Sequence, residues 1–342
     1  LATHYDSRRG SPGAGDAGLA TTGILETVRF LVADPPLRTV MVLLTDGEES
    51  GLLGAKAWVR RHEPDLPSWA VLNFDARGNR GPLVMYEAAG FTKTLVDRVF
   101  DELPAPAGNS AAAFVYERMR NQTDFTVFVA ADMQGLNFAV IDGFRHYHRD
   151  TDTTERITDA TLVHYAETMR IAATRLANVD LPTIDVQASR VAKSSAYFTI
   201  GPFVLSYGMP RAILLVVATT VAFAAAILNT RPRRFGRCVL HIALSVVGVC
   251  APALLMLWVD RGKAWHDWTG VAFALAVLLV GLSSWSARLP HRRDRAALLL
   301  LVALSMVVTA AALTLYDIRL SFLFAWPGLL TSVAMLSGRW WA

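Results

Sequence analysis

Cysteine is almost absent from this chain of 342 residues, and the two present, Cys238 and Cys250, lie in one apolar run. That excludes a disulfide framework and a cysteine-built metal knot. Charge is sparse too: 18% of residues carry it, and 33 basic against 29 acidic side chains leave a net charge of only +4. So small an excess provides no electrostatic footprint for a nucleic-acid partner. No internal repeat or low-complexity segment is evident, and a 53% hydrophobic composition excludes a disordered, collagenous or coiled-coil chain. The opening residue is Leu1 rather than methionine, and His4 and Asp6 follow so closely that the chain reads as N-terminally truncated, with any upstream anchor outside it.

At about 150 residues per domain the length predicts two domains, and the sequence changes character near residue 196. Up to there, charge is mixed with short apolar runs. From 197 to 342, long apolar stretches at 212–228, 238–259, 269–285, 296–316 and 321–337 are separated by arginine-rich turns. Each stretch is near the roughly 20 residues that cross about 30 Å of hydrocarbon. No soluble core needs so many helices apolar on every face, so 197–342 reads as an all-α, multi-pass transmembrane domain of about five helices in a lipid bilayer. Pro327 and Gly328 interrupt the last of them. Arg231, Arg233, Arg234 and Arg237 follow the first stretch and Arg288, Arg292, Arg293 and Arg295 the third, whereas the other turns hold only Arg261 with Lys263, and Arg319. The positive-inside rule then places the first and third turns in the cytoplasm and the domain before residue 212 on the extracytoplasmic or lumenal side. Tyr197, Phe198, Phe203 and Tyr207 fit an interfacial aromatic belt on that side. His241 and the cysteines read as packing groups between helices.

Over 1–196, strands at 39–44, 70–74 and 136–141 alternate with helices at 52–61, 93–103 and 160–177, and Asp16 is placed to cap an earlier helix running to about Val32. The order predicts an α/β fold: a mixed, mostly parallel sheet flanked by helices with right-handed crossovers. Polar residues just beyond the strand ends of such a sheet converge in one crevice. Five clusters occupy such positions: Thr3-His4-Tyr5-Asp6-Ser7, Gly13-Ala14-Gly15-Asp16-Ala17-Gly18, Thr45-Asp46-Gly47-Glu48-Glu49-Ser50, Asn73-Phe74-Asp75 and Tyr147-His148-Arg149-Asp150-Thr151-Asp152-Thr153. Singly each has a plain structural use, as a helix cap, a solvated turn or a surface histidine. Together, carboxylates gathered at one sheet edge repel one another unless a cation sits among them. Nitrogen and oxygen donors without thiolate suit zinc, with manganese or cobalt as substitutes.

In this order and spacing the clusters resemble metallopeptidase family twenty-eight, the co-catalytic di-zinc aminopeptidases, and within it the membrane-bound branch that includes the endoplasmic-reticulum metallopeptidase and the vacuolar membrane protease. The resemblance covers the front domain to about residue 180. It implies a zinc-aminopeptidase-like fold with two zinc ions. It further implies that His4, Asp16, Glu49, Asp75 and His148 are metal ligands, with Asp16 bridging, Glu49 paired with His148 and Asp75 paired with His4. Asp6 matches the carboxylate that orients the His4 imidazole, and Glu48 the general base. The implied reaction is hydrolysis of an N-terminal peptide bond by a metal-activated water. Arg149 departs from the family pattern, which has threonine after the metal histidine. Tyr147 and Arg145 are nearby, and neither is assigned a role as electrophilic helper. Two other readings stay open: a glutaminyl-cyclase-like acyltransferase, which typically uses one zinc, and a catalytically inactive ectodomain serving as receptor or assembly subunit.

Overall fold

In the computed structural model, residues 1–62, 69–90, 92–119, 121–179, 195–230, 302–303, 306–312, 314–315 and 317–336 are described. Four strands, β1 (Ala2–His4), β2 (Leu43–Thr45), β3 (Ala70–Ala76) and β5 (Gln134–Asp142), run parallel in the spatial order β2-β1-β3-β5, and β4 (Arg80–Ala89) closes the sheet antiparallel to β5. The sheet is therefore mixed and mostly parallel, as its alternating pattern predicts.

Helices cover both faces. Alternate residues of β3 explain why: Leu72 and Phe74 enter one core with Ile24, Tyr165 and Met169, while Val71 enters the other with Ala55, Phe125 and Phe128. The first core is supplied by α1 (Ala20–Ala33) and α6 (Asp159–Asn178), the second by α2 (Leu53–His62) and α5 (Asp124–Ala130). Phe74 and Phe138, at paired positions of β3 and β5, stack with centroids 5.3 Å apart. In α6, Thr158 accepts the Thr161 N–H at 3.2 Å as N-cap, and the buried stripe Tyr165, Met169, Ala172 follows helical spacing.

Several elements differ from expectation for local reasons. The strand expected at 39–44 shrinks to Leu43–Thr45, because β1 gives it just three rungs. The helix expected at 93–103 begins as α3 (Thr92–Leu95) and then widens into a π-helical segment, Val96–Phe100. Strand β4 escaped the periodic reading because irregularities between Arg80 and Leu83 and between Met85 and Glu87 break its alternation.

The expected aromatic belt is instead a β-hairpin, β6 (Ser195–Ile200) with β7 (Phe203–Gly208). Tyr197 is 1% exposed and donates to Met85 Sδ at 3.3 Å, and Phe198 stacks on Phe322 at 4.8 Å. Tyr207 shares a hydrogen bond with Ser321 at 2.9 Å, so Phe203 alone of the four is exposed. Consequently the first compact unit runs past the boundary expected at 196, comprising Leu1–Ala212 and also Leu313–Phe322.

Arg319 secures that returning segment. It is 6% exposed, bonds Glu117 through Nη1 at 2.7 Å and Nη2 at 2.9 Å, and bonds Asp317 at 2.8 Å. Its carbonyl accepts the hydroxyl of Ser110, the first residue of α4 (Ser110–Tyr116). Burial disfavours the guanidinium charge, but Glu117 and Asp317 overcome this and raise its pKa.

The second unit comprises Ile213–Ala312 and Leu323–Ala342. Among the described residues, Met209–Ala226 of α7 (Met209–Thr230) is the one helical stretch long and apolar enough to cross a membrane. In α8 (Phe322–Leu336) the helix continues through Pro327 rather than breaking there. The stretches expected at 238–259 and 269–285, with His241, both cysteines and the two arginine-rich turns, lie outside the described residues, as does part of 296–316.

Replacing Arg319 by alanine leaves two carboxylates facing each other without their shared cation. The expected cost is about 3 kcal/mol, seen as a lower unfolding midpoint of the full chain in detergent. Arg319→Lys should fall between, since an ammonium cannot hold two forked pairs at once. An unchanged midpoint for the alanine variant would show the clamp to be inert.

Candidate metal centre

The strand ends explain why residues so far apart in sequence meet. His4 is the last residue of β1, Asp75 lies at the end of β3, the turn with Glu48 and Glu49 follows β2, and the loop carrying His148 follows β5. These four strands are parallel neighbours, so all four positions open onto one edge of the sheet. Strand order also reverses there: from β1 the chain crosses to β2 on one side, then to β3 on the other. Such a switch point leaves a crevice outside the carboxyl ends of the strands.

Two groups of ligand-type side chains converge in that crevice, His4 with Asp16 and Asp75, and Asp16 with Glu49 and His148. His4 Nε2 lies 3.2 Å from Asp16 Oδ1 and 3.5 Å from Asp75 Oδ1. His148 Nε2 lies 3.1 Å from Asp16 Oδ2 and 2.8 Å from Glu49 Oε1. Asp16 thus belongs to both groups and presents one oxygen to each.

Asp16 does not cap a helix, contrary to expectation. It sits in a π-helical turn, Ala14–Leu19, with non-helical φ −108° and ψ 91°, and α1 starts only at Ala20. The Asp16–Ala17 peptide is cis. The buried Asp152 carboxylate explains the departure. It accepts the Gly15 N–H at 3.0 Å and the Asp16 N–H at 3.1 Å, while its carbonyl accepts the Ala14 N–H at 3.2 Å. Only glycine suits position 15, because a Cβ there would meet Gly78 O at 2.8 Å and Asp152 Oδ1 at 2.9 Å. The sequence places Asp152 inside a motif but gives no sign that it acts through backbone amides.

Asp6 works differently from the role its motif implies. His4 Nδ1 donates to the Asp6 backbone carbonyl at 2.9 Å, while the carboxylate lies farther off at 3.5 Å. That carboxylate instead accepts the N–H groups of Glu48 at 3.1 Å and Glu49 at 3.2 Å. It fixes the glutamate turn and the imidazole together. Glu49 enters a ligand group, whereas Glu48 enters neither and lines the adjoining cavity. Burial first, then the neighbouring Asp75 charge, pushes the Glu48 carboxyl up to about 8.

His148 adopts a left-handed backbone, φ 57°, and the Tyr147 ring stacks on its imidazole at 3.6 Å. The departure at position 149 stays out of the crevice, because the Arg149 side chain is exposed. Arg145 is also exposed and donates to His146 Nε2, whereas Tyr147 lines the cavity.

The donor set fits divalent cations. With Nδ1 of His4 donating to a carbonyl, a neutral imidazole turns an Nε2 lone pair toward the oxygens of Asp16 and Asp75. Lone pairs at that distance require a positive charge between them. A proton on Nε2 is one charge that answers this need, and a metal cation that displaces it is another: burial lowers the His4 pKa, but Asp16 and Asp75 outweigh it and push it up to about 12. Burial and nearby negative charge raise Glu49 and Asp75, while Asp16, also buried, is lowered by His148 and His4. Glu49 Oε1 is buried beside His148 without an aligned hydrogen bond, as a ligand oxygen would be.

Over 187 residues the chain is 33% identical to a vacuolar membrane protease of Leptosphaeria maculans, covering 53% of this chain and 23% of that protein. Over 347 residues it is 25% identical to an endoplasmic reticulum metallopeptidase 1-B of Caenorhabditis elegans, covering 95% of this chain and 38% of that protein. The chain thus spans well under half the length of these relatives. Among solved structures it is similar to an aminopeptidase from Aneurinibacillus sp. strain AM-1, with a TM-score of 0.40 at 20% identity over 53% of this chain and 45% of that one. The sequence profile described as Peptidase family M28 matches residues 1–173, which include all five ligand-type side chains, Asp6, Glu48 and Asp152. The chain belongs to peptidase family M28.

Proposed function

We propose that this chain is a membrane-anchored, zinc-dependent aminopeptidase whose active domain faces away from the cytoplasm. The observation that carries the reading is Asp16, which offers one carboxylate oxygen to each of two ligand groups. His4, Asp16 and Asp75 would hold one zinc ion, and Asp16, Glu49 and His148 the other. Zinc bound there supplies Lewis acidity toward a peptide carbonyl and lowers the pKa of a water.

The chain's own contribution is to proton transfer and position. Glu48 lines the cavity beside the ligand groups without joining them, so its carboxylate is available as base. It takes a proton from the attacking water and delivers it to the departing amine. Its burial favours the protonated form and so suits the second half of that exchange. Asp6 aims Glu48 and Glu49 through their backbone amides, and Asp152 does the same for Asp16. Restriction to peptide N-termini is carried over from the family resemblance.

Membrane anchoring rests on α7 and on the apolar stretches beyond it. Residues 313–322 belong to the same compact unit as the peptidase fold. If the stretches between 212 and 313 cross a bilayer, they therefore cross an even number of times, in agreement with four of the five expected spans. The turn with Arg319 then lies on the active-domain side, and the arginine-rich turn after 230 on the other.

Glu48→Gln keeps the shape of the side chain but cannot accept the proton. Turnover of an aminoacyl-anilide should fall by about 10² or more while bound zinc, measured by metal analysis, stays unchanged. Equal activity of the two proteins would refute the assignment. His148→Ala should lose bound zinc, and retention of the full complement would remove His148 from the ligand set. A reporter fused after Arg234 should be cytoplasmic, and finding it outside would invert the placement of the active domain.

A further inference from the structure

The cavity beside the ligand groups, about 820 Å³, is lined by Asp16, Glu48, Glu49, Asp75 and His148, and also by a cation, Arg77. The size suits a small ligand of a few residues rather than a folded chain. Arg77 follows β3 directly, and its N–H donates to Val140 O at 2.7 Å, continuing the register with β5. It stands two residues beyond Asp75, a spacing that returns a side chain to the same face in extended backbone.

Its surroundings are neutral. The guanidinium carbon lies 5.5 Å from the centroid of the Tyr147 ring, and the Asn121 amide, with its oxygen turned toward the arginine, accepts from Nη2 at 2.8 Å and also from Nη1. Among the described residues no carboxylate is within ion-pair distance of Arg77, although four acidic residues line the same cavity. An arginine stays charged at any physiological pH and presents five donors in a planar fork. One neutral amide oxygen, even shared by both Nη groups, leaves the other donors of that fork and its charge without an anionic partner. Its charge also opposes cation binding at the neighbouring carboxylates, so it does not serve the metal centre itself. What it fits is an anion arriving with the ligand.

We propose that Arg77 is a carboxylate-binding residue of this cavity, selecting short peptides that carry a carboxylate close to the bond to be cut. The group is either the terminal α-carboxylate of a dipeptide or an acidic side chain at the second position. Extended chain advances about 3.3–3.6 Å per residue, so a carboxylate within one or two residues of the scissile bond remains inside a cavity of this size. The inference deepens the aminopeptidase reading and rests on it for the identity of the ligand, but the binding it describes needs no turnover.

The test uses the full-length, zinc-loaded chain in detergent, with and without Arg77→Met or Arg77→Lys. Affinities are read by calorimetry in the Glu48→Gln background, so that bound peptide is not consumed, and KM and kcat are read with Glu48 present. One arm compares Leu-Gly as free acid with its amide. The other compares the amidated tripeptides Leu-Glu-Gly and Leu-Gln-Gly. In at least one arm the carboxylate ligand should bind about ten- to a hundredfold more tightly than its neutral twin, the range of a charge-assisted, two-pronged contact. Arg77→Met should bring that ratio to near one through KM rather than kcat, and Arg77→Lys should restore part of it. The arm that responds identifies the source of the carboxylate. A ratio that survives Arg77→Met, equal weakening of charged and neutral ligands, or no preference in either arm would overturn the proposal. An Arg77-dependent binding preference in a chain that hydrolyses none of these peptides would leave the subsite standing and refute the peptidase reading alone.

Discussion

Asp16 can face two imidazoles at once only because its backbone is held out of the helix that follows. A helix cap in that position would point its oxygens at its own amides, as Asp and Asn caps do. Here the amides of Gly15 and Asp16 are already bound by Asp152, contributed from the far end of the domain sequence. The side chain is thereby released to lie between His4 and His148. A carboxylate buried for that purpose makes sense only in company with positive charge. The rest of the crevice follows from the same requirement: one imidazole facing each oxygen of Asp16, a further carboxylate beside each imidazole, and four parallel strand ends bringing them together.

What could be read in the sequence was whatever leaves a periodic or chemical trace. Helices α2 and α6 and strands β3 and β5 come from long, regular apolar patterns. The ligand-type residues stand out because acids and histidines recur just beyond those strands. What could not be read acts through the backbone or through distant contacts. Asp152 is one more acidic residue in a polar loop until its partners, 136 and 137 positions away, are known. Tyr197 and Tyr207 precede a long apolar run, which is the pattern of an interfacial belt, yet their hydroxyls meet Met85 and Ser321 in the peptidase unit. Composition cannot separate these outcomes, because both place an aromatic ring with an apolar body and a polar tip at a boundary.

Arg319 makes the same point about charge. In sequence it is a lone arginine in a short turn, notable mainly for how little positive charge that turn holds. In the fold it joins the end of α4 to the segment that returns after the apolar stretches. Helix α4 contributes Ala111, Ala112, Val115 and Tyr116 to the wall of the cavity beside the ligand groups. The peptidase unit is thus built from two pieces of chain separated by a hundred residues, 213–312, and a wall of its cavity depends on both.

The adjacent glutamates show how one short turn can send two like side chains to different places. Both are half-buried, both have raised carboxyl pKa values, and both are held by the same Asp6 carboxylate through consecutive amides. Neither residue type nor burial distinguishes them. Direction does: Glu49 turns to His148 and Asp16, while Glu48 keeps clear of both ligand groups. Moving the turn by one residue would exchange the two positions and, under the proposed function, put a ligand where a base is needed. Asp6 excludes that shift by binding both amides from one side chain, and the His4 imidazole, held by the carbonyl of the same residue, fixes the turn's place relative to the metal centre. A single aspartate therefore keeps both glutamates and the His4 imidazole in register, and it does so through its main chain as much as through its charge.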